Sequence, residues 1–254
     1  MGEVGERVEC RDVTLIRGQN VVIDRLTHRF EHWRITALVG PNGSGKSTLL
    51  KALYGYLVPS SGAVTLEGTA IPDWSPQALA QMLGVCPQEA EPSLDFQVGR
   101  LLSLRHGGNL QKAWGVLVDL DFLDLRPLFT RNLSSLSGGE RQRVRLGLAL
   151  SGRSPWLILD EPSYHLDLST AWSLFGYLES RRETGVILAL HDLPMAARFC
   201  HRLIVLQGKE MVVTGAPREV LTGEILQRVF GLRGEFIEGS EEPCLQIQGV
   251  SRAE

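Results

Sequence analysis

Nine consecutive residues combine three glycines with a lysine and two adjoining hydroxyl groups, in the pattern G-x-x-x-x-G-K-S-T. Closely spaced glycines let successive backbone N–H groups converge on one anion, and the lysine adds a positive point charge. A hydroxyl directly after that lysine is suited to ligating Mg²⁺. The pattern therefore predicts a loop that holds the phosphates of a nucleoside triphosphate. Its residues are Gly40, Pro41, Asn42, Gly43, Ser44, Gly45, Lys46, Ser47 and Thr48.

The segments on either side of this loop fit the same chemistry. The apolar run 35–39 predicts a strand that leads into the loop, and apolar residues at helical spacing over 49–53 predict a helix after it. A helix N-terminus favours an anion through its free N–H groups and its dipole. We therefore expect Lys46 to reach the β- and γ-phosphates and Ser47 to bind the metal ion. The alternative is a glycine-rich turn that binds nothing.

Polar residues stand at the ends of three other apolar runs. They are Gln88, the neighbouring pair Asp160 and Glu161, and His191. Runs that are apolar throughout predict strands buried on both faces of a parallel sheet, and ligands bind beyond the carboxyl ends of such strands. We therefore expect these four side chains and the phosphate loop to meet at one edge of the sheet.

The order of the elements predicts the fold class. Buried strands alternate with helical patterns, whereas the short β-type runs 13–16, 21–23 and 63–66 predict a small antiparallel sheet. Helical patterns dominate between residues 89 and 152. The expected fold is α/β: a P-loop NTPase core with a mostly parallel sheet, an N-terminal antiparallel β-subdomain and a helical insertion. We expect one domain over 1–238 and a loosely patterned C-terminal tail over 239–254.

The same patterns predict further helices and one hairpin. The hairpin is expected at 203–213, around the turn 207–209. The expected helices cover 75–82, 112–120, 141–150, 168–182 and 219–230.

Composition narrows the range of partners. The net charge of −3 and the sequence pI of about 6.1 provide no basic field, so nucleic acid is a poor candidate. The longest apolar runs fall far short of a membrane span, and the N-terminus lacks the apolar core of a signal peptide, so we expect a soluble chain. The four cysteines form no C-x-x-C pair, which predicts reduced, mostly buried thiols.

The stretch from Leu136 to Gln142, LSGGERQ, precedes the Asp160-Glu161 pair. It resembles the signature motif of ABC ATPases. The order and spacing of this motif, the phosphate loop, Gln88 and His191 are similar to those of that family, from about residue 8 to residue 230. The resemblance covers most of the chain.

This resemblance implies an ATP-binding subunit that works as a head-to-tail homodimer. Each ATP would lie between the phosphate loop of one chain and the signature motif of the other. The helix that follows the motif offers N–H groups and a positive dipole to a γ-phosphate. The residues assigned to this contact are Ser137, Gly138, Gly139 and Glu140.

The resemblance also implies roles at the sheet edge. Asp160 is expected to bind Mg²⁺ through water, and Glu161 to polarise the attacking water as general base. Gln88 and His191 are expected to sense or position the γ-phosphate and the water, with Gln88 also near the metal. For Asp167, in a segment that resembles the family's D-loop, two interpretations stay open: a contact across the dimer, or a helix cap.

Position 17 departs from the family. Most members carry an aromatic residue that stacks on adenine, whereas counting 23 residues back from Gly40 gives Arg17. We expect its guanidinium to lie over the adenine ring, a cation–π contact worth roughly 0.5–2 kcal/mol. The alternative is a solvated arginine in a turn.

Several stretches resemble one subgroup, the ATPases of iron-siderophore, haem and cobalamin importers. This subgroup implies a peripheral protein on the cytoplasmic face of the inner (plasma) membrane, bound to integral membrane permease subunits and served indirectly by a substrate-binding protein. The stretches are 59–62, 75–80, 85–88, 161–168 and 219–222.

One segment departs from that subgroup. Residues 105–109 replace a longer segment, in the part of the chain that usually faces the permease. The cargo is therefore left open. The alternatives are an ABC transporter with another cargo or an exporter, and a soluble ABC ATPase of iron–sulfur cluster assembly.

Overall fold

The computed structural model describes residues 7–88, 95–237 and 242–251. In these ranges the strands are β1 (Val8–Arg17), β2 (Asn20–Phe30), β3 (Ile35–Val39), β4 (Ser61–Leu66), β5 (Thr69–Ala70), β6 (Leu83–Cys86), β7 (Trp156–Asp160), β8 (Gly185–Ala189), β9 (Arg202–Gln207), β10 (Glu210–Gly215), β11 (Leu232–Phe236) and β12 (Leu245–Val250). The α-helices are α1 (Lys46–Leu53), α2 (Pro76–Met82), α3 (Val98–Ser103), α4 (Leu110–Val116), α5 (Gly138–Leu150), α6 (Leu168–Ser180), α7 (Leu193–Phe199), α8 (Pro217–Val220) and α9 (Gly223–Phe230).

A six-stranded sheet in the order β10-β9-β3-β8-β7-β6 forms the centre of the molecule. Its strands pair in parallel except β10, which forms the antiparallel hairpin with β9 that the sequence predicts. Every residue of β3, β7 and β8 is buried, as expected of strands covered on both faces. The predicted mostly parallel sheet is confirmed, and the carboxyl ends of its five parallel strands share one edge.

The two faces of this sheet contribute to separate apolar layers. Along β3, Ile35, Ala37 and Val39 pack with the helical insertion, α6 and α7, whereas Leu38 packs with α1 and the N-terminal strands. This division follows from the alternation of side chains along a strand. The phosphate-loop helix and the signature helix therefore lie in different layers.

The predicted N-terminal antiparallel sheet is also confirmed, in the order β2-β1-β4-β5. It shares an apolar layer with the central sheet, and the N–H of Asp24 donates to the carbonyl of Lys209 over 2.8 Å. Asp24 lies in β2, and Lys209 lies in the turn between β9 and β10. The small sheet is therefore fixed against the edge of the core.

The described part of the predicted insertion, residues 95–152, is helical as expected. The prediction of a helix over 112–120 is wrong at its end, because α4 stops at Val116. Beyond Gly115 the N–H groups of Leu117, Val118 and Asp119 bond to carbonyls three residues back, which tightens the chain into turns. Residues 89–94 of the predicted insertion lie outside the described residues.

Two other predicted helices differ from the structure. The helix expected over 168–182 ends at Ser180, where Arg181 leaves helical geometry and donates through its side chain to the carbonyls of Leu150 and Gly152. The helix expected over 219–230 is divided into α8 and α9. Thr222 causes the break, since its hydroxyl caps α9 by accepting from the N–H of Ile225.

The C-terminal segment holds an element that the sequence analysis missed. Strands β11 and β12 pair as an antiparallel two-stranded sheet, with Leu232 opposite Val250. The predicted boundary between residues 238 and 239 falls between these two strands. Elsewhere, Cys10, Cys86 and Cys200 are buried free thiols. Within the described ranges, no helix is long and apolar enough to cross a membrane.

Candidate active site

The phosphate loop between β3 and α1 has positive φ values at its three glycines. Gly40, Gly43 and Gly45 have φ values of 153°, 78° and 99°. A Cβ on Gly40 would stand 2.2 Å from the carbonyl oxygen of Leu206, and one on Gly45 would stand 2.7 Å from Cδ1 of Ile23 in β2. The loop is therefore held in shape by both the central strand β9 and the N-terminal sheet.

Lys46, the first residue of α1, folds back over this loop. Its Nζ donates to the carbonyls of Gly40 at 2.8 Å and Pro41 at 3.1 Å, and the residue is 5% exposed. Burial lowers the pKa of Lys46, while the nearby carboxylates Glu161 and Asp160 act in the opposite direction. A buried ammonium with acidic neighbours remains a cation suited to phosphate oxygens.

Ser44 supports the same ligand. Its Oγ is fully buried and has no hydrogen-bond partner within the described ranges, although it lies between the loop glycines. Buried hydroxyls are normally paired, so an unpaired one in a phosphate-type loop is consistent with a ligand oxygen as its partner. The loop geometry, Lys46 and Ser44 together fit a bound triphosphate.

Ser47 connects the loop to the second element of the site. Its Oγ donates to Oδ1 of Asp160 at the end of β7 over 3.0 Å. Asp160 is 3% exposed, and burial is the main cause of its raised pKa, with the charge of Glu161 adding to it. A buried carboxylate beside a second one is a favourable place for a cation.

This pair of oxygens fits Mg²⁺. Hard cations of this kind bind through carboxylate, hydroxyl and phosphate oxygens and usually keep several waters. In the part of the chain that the structure describes, no group of three or more His, Cys, Asp or Glu side chains forms a metal cluster. Ser47 and Asp160 would hold the ion together with phosphate oxygens.

Glu161 follows directly and takes an unusual backbone conformation, with φ at 49°. Its Oε1 lies 2.8 Å from Nε2 of His191, which stands just beyond the end of the neighbouring strand β8. The Glu161 side chain is 14% exposed and that of His191 44%. A non-glycine residue held in the left-handed region costs about 1–3 kcal/mol and recurs at functional sites.

The sheet edge opens into a cleft of about 550 Å³. Five of the predicted site residues line it: Asn42, Gln88, Gly138, Glu161 and His191. The expectation that the strand-end residues and the loop meet at one edge is thus met by the geometry. The backbone carbonyl of Gln88 accepts from Arg145 over 3.2 Å, which ties the end of β6 to α5.

The same cleft is lined by four residues that the sequence analysis did not single out: Arg141, Arg145, Tyr164 and His165. Two signals were present in the sequence. Arg141 and Arg145 are four residues apart on the helix that follows the signature motif, so they share one face. Tyr164 and His165 follow Glu161 closely, and a strand end carries its loop residues to the same edge.

The signature motif forms the start of α5. Ser137 accepts from the N–H of Glu140 at 3.2 Å, and the Ser137 N–H donates to Oε2 of Glu140 at 2.7 Å, a complete capping box. Arg131 also binds the Glu140 carboxylate, at 2.8 Å. Ser137 and Gly138 are exposed, whereas the Glu140 side chain is committed to the cap. A nucleotide contact by Glu140 stays a prediction from the resemblance.

Asp167 caps α6 in the structure. Its Oδ1 accepts from the N–H of Thr170 at 3.0 Å, and its carboxylate also accepts from the hydroxyls of Thr170 and Ser169. These hydrogen bonds hold its pKa well below the usual range. The helix-cap interpretation is therefore confirmed, while a contact across a dimer stays a prediction.

Arg17 is exposed at the end of β1, next to a turn in which Gly18 has a φ of 62°. It does not line the cleft at the sheet edge. The prediction that it stacks on adenine therefore depends on a nucleotide that extends from the phosphate loop towards the N-terminal sheet.

Comparison with known proteins decides the family. A family model described as ABC transporter matches residues 23–164. This chain belongs to the ABC transporter family. A hemin import ATP-binding protein of Myxococcus xanthus is 37% identical over 259 residues, covering 95% of this chain and 97% of that protein. A petrobactin import ATP-binding protein of Bacillus anthracis is 34% identical over 229 residues, covering 86% and 84% respectively.

Solved structures of the family share the fold. A dimeric bacterial ABC transporter cassette superposes with a TM-score of 0.73 at 22% identity, covering 83% of this chain and 99% of that one. As a member of the ABC transporter family, the chain is an ATPase whose hydrolysis of ATP to ADP and phosphate is coupled to transport. The P-loop fold with an inserted helical region that the sequence predicts is the fold of that family.

Proposed function

We propose that this ABC ATPase powers the import of an iron-siderophore, haem or cobalamin-type substrate through a partner permease. The observation that carries the hydrolytic part is the paired contact at the sheet edge, Ser47 with Asp160 and Glu161 with His191. The import part rests on relatives that are named as hemin and petrobactin import proteins and that match nearly the whole chain.

The chain's own residues divide the hydrolytic chemistry among them. When ATP binds, Nζ of Lys46 breaks its hydrogen bonds to two loop carbonyls and donates to β- and γ-phosphate oxygens instead. The loop N–H groups hold the rest of the triphosphate. The attacking water forms a bond to the γ-phosphorus and gives a proton to Glu161. The bond between the γ-phosphorus and the oxygen of the β-phosphate breaks, and ADP leaves with its electron pair. Phosphoryl transfer needs positioning and charge neutralisation more than covalent chemistry, which these groups supply.

His191 and Gln88 act by position. His191 holds the Glu161 carboxylate through the 2.8 Å contact, so that the base faces the cleft. Gln88, at the end of β6, lines the cleft on the other side of β7. Mg²⁺, when bound by Ser47, Asp160 and the phosphates, neutralises charge on the phosphate oxygens.

The complete site is proposed to need two chains. Ser137, Gly138 and Gly139 form an α-helix N-terminus, and the first two are exposed in the single chain. Backbone N–H groups at such a terminus stabilise an anion, so a second chain that presents them to the γ-phosphate completes the charge compensation. A head-to-tail homodimer provides this contact twice and makes hydrolysis depend on closure.

The transport step is proposed to use the helical insertion. Binding of ATP closes the dimer, closure moves the insertion against the permease, and phosphate release reopens it. Binding energy can drive this cycle only if ATP has different affinities for the open and closed states. The protein would thus lie peripherally on the cytoplasmic face of the inner (plasma) membrane, with a substrate-binding protein on the other side supplying the cargo.

The test is capture of tagged Glu161→Gln protein from detergent-solubilised native cells in the presence of ATP, followed by mass spectrometry. We expect to capture a permease with many membrane spans. The gene that encodes this permease is then deleted from the native cells. Uptake of labelled haemin, ferric siderophore and cobalamin is compared between the deletion strain and its parent. Loss of uptake of one of them supports the proposal. Capture of soluble scaffold proteins alone would favour iron–sulfur cluster assembly, and unchanged uptake of all three would point to another cargo or to export.

A further inference from the structure

Gln142 lies in the second turn of α5, the helix that begins at the signature motif. Its side chain is 3% exposed, and among the described residues it is the only amide side chain that is buried. It is not among the residues that line the cleft at the sheet edge. Buried polar groups are normally paired, so the partners of this amide show what it holds in place.

Each end of the Gln142 amide faces a different partner. Its Nε2 donates to the carbonyl of Pro162 over 3.3 Å, and Nη1 of Arg145 donates to its Oε1 over 3.5 Å. A carbonyl can only accept and a guanidinium can only donate, so these two partners allow the amide one orientation. The donor that faces Pro162 is therefore fixed by the arginine on the other side.

Arg145 connects the same amide to the end of β6. Its Nη1 also donates to the backbone carbonyl of Gln88 over 3.2 Å, and a guanidinium Nη carries two hydrogens for the two acceptors. Gln142 and Arg145 thus form a bridge from α5 to two segments of the site. One segment carries Glu161 and the other carries Gln88.

The backbone of Glu161 needs such support. Its φ of 49° lies in the left-handed region, a conformation that persists only where surrounding contacts hold it. The Glu161 N–H donates to the carbonyl of Ala189 over 3.2 Å, and the Glu161 carbonyl accepts from the N–H of Tyr164 over 3.0 Å. Gln142 adds a third hydrogen bond, at the carbonyl of Pro162, the next residue. The chain is therefore held on both sides of the base.

Close packing of α5 supports the bridge. A Cβ on Gly139, near the start of the helix, would stand 3.1 Å from the carbonyl oxygen of His165 in the loop after β7. Near the end of the helix, the carbonyl oxygen of Ala149 would stand 2.4 Å from a Cβ on Gly84 of β6. The helix lies directly on the backbone of both segments, and close-packed interiors transmit such contacts.

We propose that Gln142 is a positioning residue for the general base: its amide fixes the backbone next to Glu161 and so directs the carboxylate towards the attacking water. This inference rests on the proposed function, because it takes Glu161 as the base; it adds the residue that holds the backbone of that base. His191 holds Glu161 by its side chain, whereas Gln142 acts through the carbonyl of Pro162.

The experiment uses the full chain and measures turnover and ATP binding separately. Gln142→Leu has a similar side-chain volume but lacks the donor to Pro162. We expect the turnover number to fall roughly 10–100-fold, because misplacement of a reacting group by about 1 Å can cost about 10²-fold. The dissociation constant for ATP is expected to change little, since the phosphate loop is unaltered. Gln227→Leu, at an exposed position of α9, is the matched control and is expected to hydrolyse ATP like the unaltered chain.

A double-mutant cycle separates positioning of the base from a general loss of structure. In the Glu161→Gln background the base is absent, so Gln142→Leu is expected to cause little further loss in the single-turnover rate. That result supports the inference. An equal loss in both backgrounds shows that Gln142 does not act through Glu161 and overturns it. Unchanged turnover of folded Gln142→Leu overturns it as well.

A second variant covers the case in which Gln142→Leu does not fold. Gln142→Glu keeps the shape of the side chain and an acceptor for Arg145, which favours the ionised carboxylate, but it has no donor for the Pro162 carbonyl. The same loss of turnover is expected, with the same dependence on Glu161, and turnover like that of the unaltered chain would overturn the inference.

The inference and the proposed function fail in different ways. Near-normal hydrolysis by Glu161→Gln would remove the base, and with it both this inference and the hydrolytic part of the proposed function. Loss of hydrolysis in Glu161→Gln without an effect of the Gln142 variants would overturn this inference alone.

Discussion

Nε2 of His191 lies 2.8 Å from Oε1 of Glu161, across the carboxyl ends of the adjacent parallel strands β8 and β7. The carboxylate is thus fixed from its side chain by His191 and from its backbone by a left-handed conformation at φ 49°. Two independent constraints on one side chain are what a positioned general base requires. Under the proposed mechanism, this contact makes His191 a positioning residue that acts on the attacking water through Glu161.

Glu161→Gln tests the general base. We expect a loss of turnover of about 10²–10⁴, the usual contribution of a general base, because an amide cannot accept the proton from water. ATP binding is expected to persist and to favour the closed dimer, since the phosphate loop is unaltered and a carboxylate charge near the γ-phosphate is removed. Phosphate release and equilibrium ATP binding measure the two effects. Near-normal hydrolysis would remove Glu161 from this role, and Glu183→Gln, at an exposed position, provides the control.

Ser47→Ala tests the metal site. The change removes both the proposed Mg²⁺ ligand and the hydroxyl that donates to Asp160 over 3.0 Å. The unaltered chain is expected to bind ATP more tightly with Mg²⁺ than with EDTA, and the variant is expected to lose that difference. Titration of ATP under both conditions measures it. Ser173→Ala, on the exposed side of α6, is expected to keep the Mg²⁺ effect, and a variant at Ser47 that kept it would contradict the assignment.

Arg17→Ala tests contact with the base. Loss of a cation–π contact of roughly 0.5–2 kcal/mol raises the Michaelis constant for ATP by a factor of about 2–30. The turnover number is expected to change little, because Arg17 is remote from the cleft that holds Glu161. Steady-state hydrolysis over a range of ATP concentrations gives both constants. If the Michaelis constant did not move, the solvated-turn interpretation of Arg17 would be adopted, and Arg25→Ala in β2 serves as the matched exposed arginine.

Two substitutions of Asp167 distinguish its role as a helix cap from a contact across the dimer. Asp167→Ala removes the acceptor for the Thr170 N–H and is expected to lower the Tm by a few degrees, whereas Asp167→Ser keeps a cap and most of the Tm. Both variants are placed in the Glu161→Gln background, and ATP-dependent dimerisation is measured by light scattering. The predicted dimer contact implies that Asp167→Ser dimerises less than the Glu161→Gln chain alone, at a nearly unchanged Tm. Normal dimerisation of Asp167→Ser would leave Asp167 with the cap only.

His28 predicts a pH dependence of stability. Burial, with a smaller contribution from Arg202, lowers the pKa of His28 to about 4, against the ordinary 6.5. A base whose pKa is lower in the folded chain than in the unfolded chain stabilises the fold fully at pH values above its unfolded pKa. This stabilisation is lost as the pH falls towards 4. The loss between pH 6.5 and 4 is about 3 kcal/mol. Urea unfolding of the unaltered chain and of His28→Gln over this range measures the difference, which should shrink as pH falls; parallel curves would contradict it.

The site was more predictable than the elements around it. The phosphate loop is recognisable because chemistry fixes both its residue types and its spacing. Asp160, Glu161 and His191 each follow a strand that an apolar run predicts, and they take their expected roles from the resemblance to ABC ATPases. The helix boundaries that were predicted wrongly are set by single local hydrogen bonds. The hydroxyl of Thr222 divides one expected helix, and the Arg181 side chain turns away at the end of another.

The sequence of the unpredicted hairpin, β11 with β12, contains a strand-type alternation. In β12 the apolar residues Leu245 and Ile247 alternate with Gln246 and Gln248, and their burial alternates in the same way. A six-residue alternation is short, and its partner β11 contains a glycine and two charges, so neither strand predicts the other. The presence of Arg141 and Arg145 in the lining of the cleft depends on where α5 lies relative to the sheet, which only the three-dimensional fold defines.

The hydrogen bond from Asp24 to Lys209 joins the N-terminal sheet to the turn between β9 and β10, and Ile23 of the same sheet lies against Gly45 of the phosphate loop. The sheet that carries Arg17 is thus packed against the loop that carries Lys46. Under the proposal that Arg17 stacks on the base, a molecule with both a base and three phosphates engages both residues, whereas inorganic triphosphate engages only Lys46. We therefore expect ATP to bind more tightly than inorganic triphosphate.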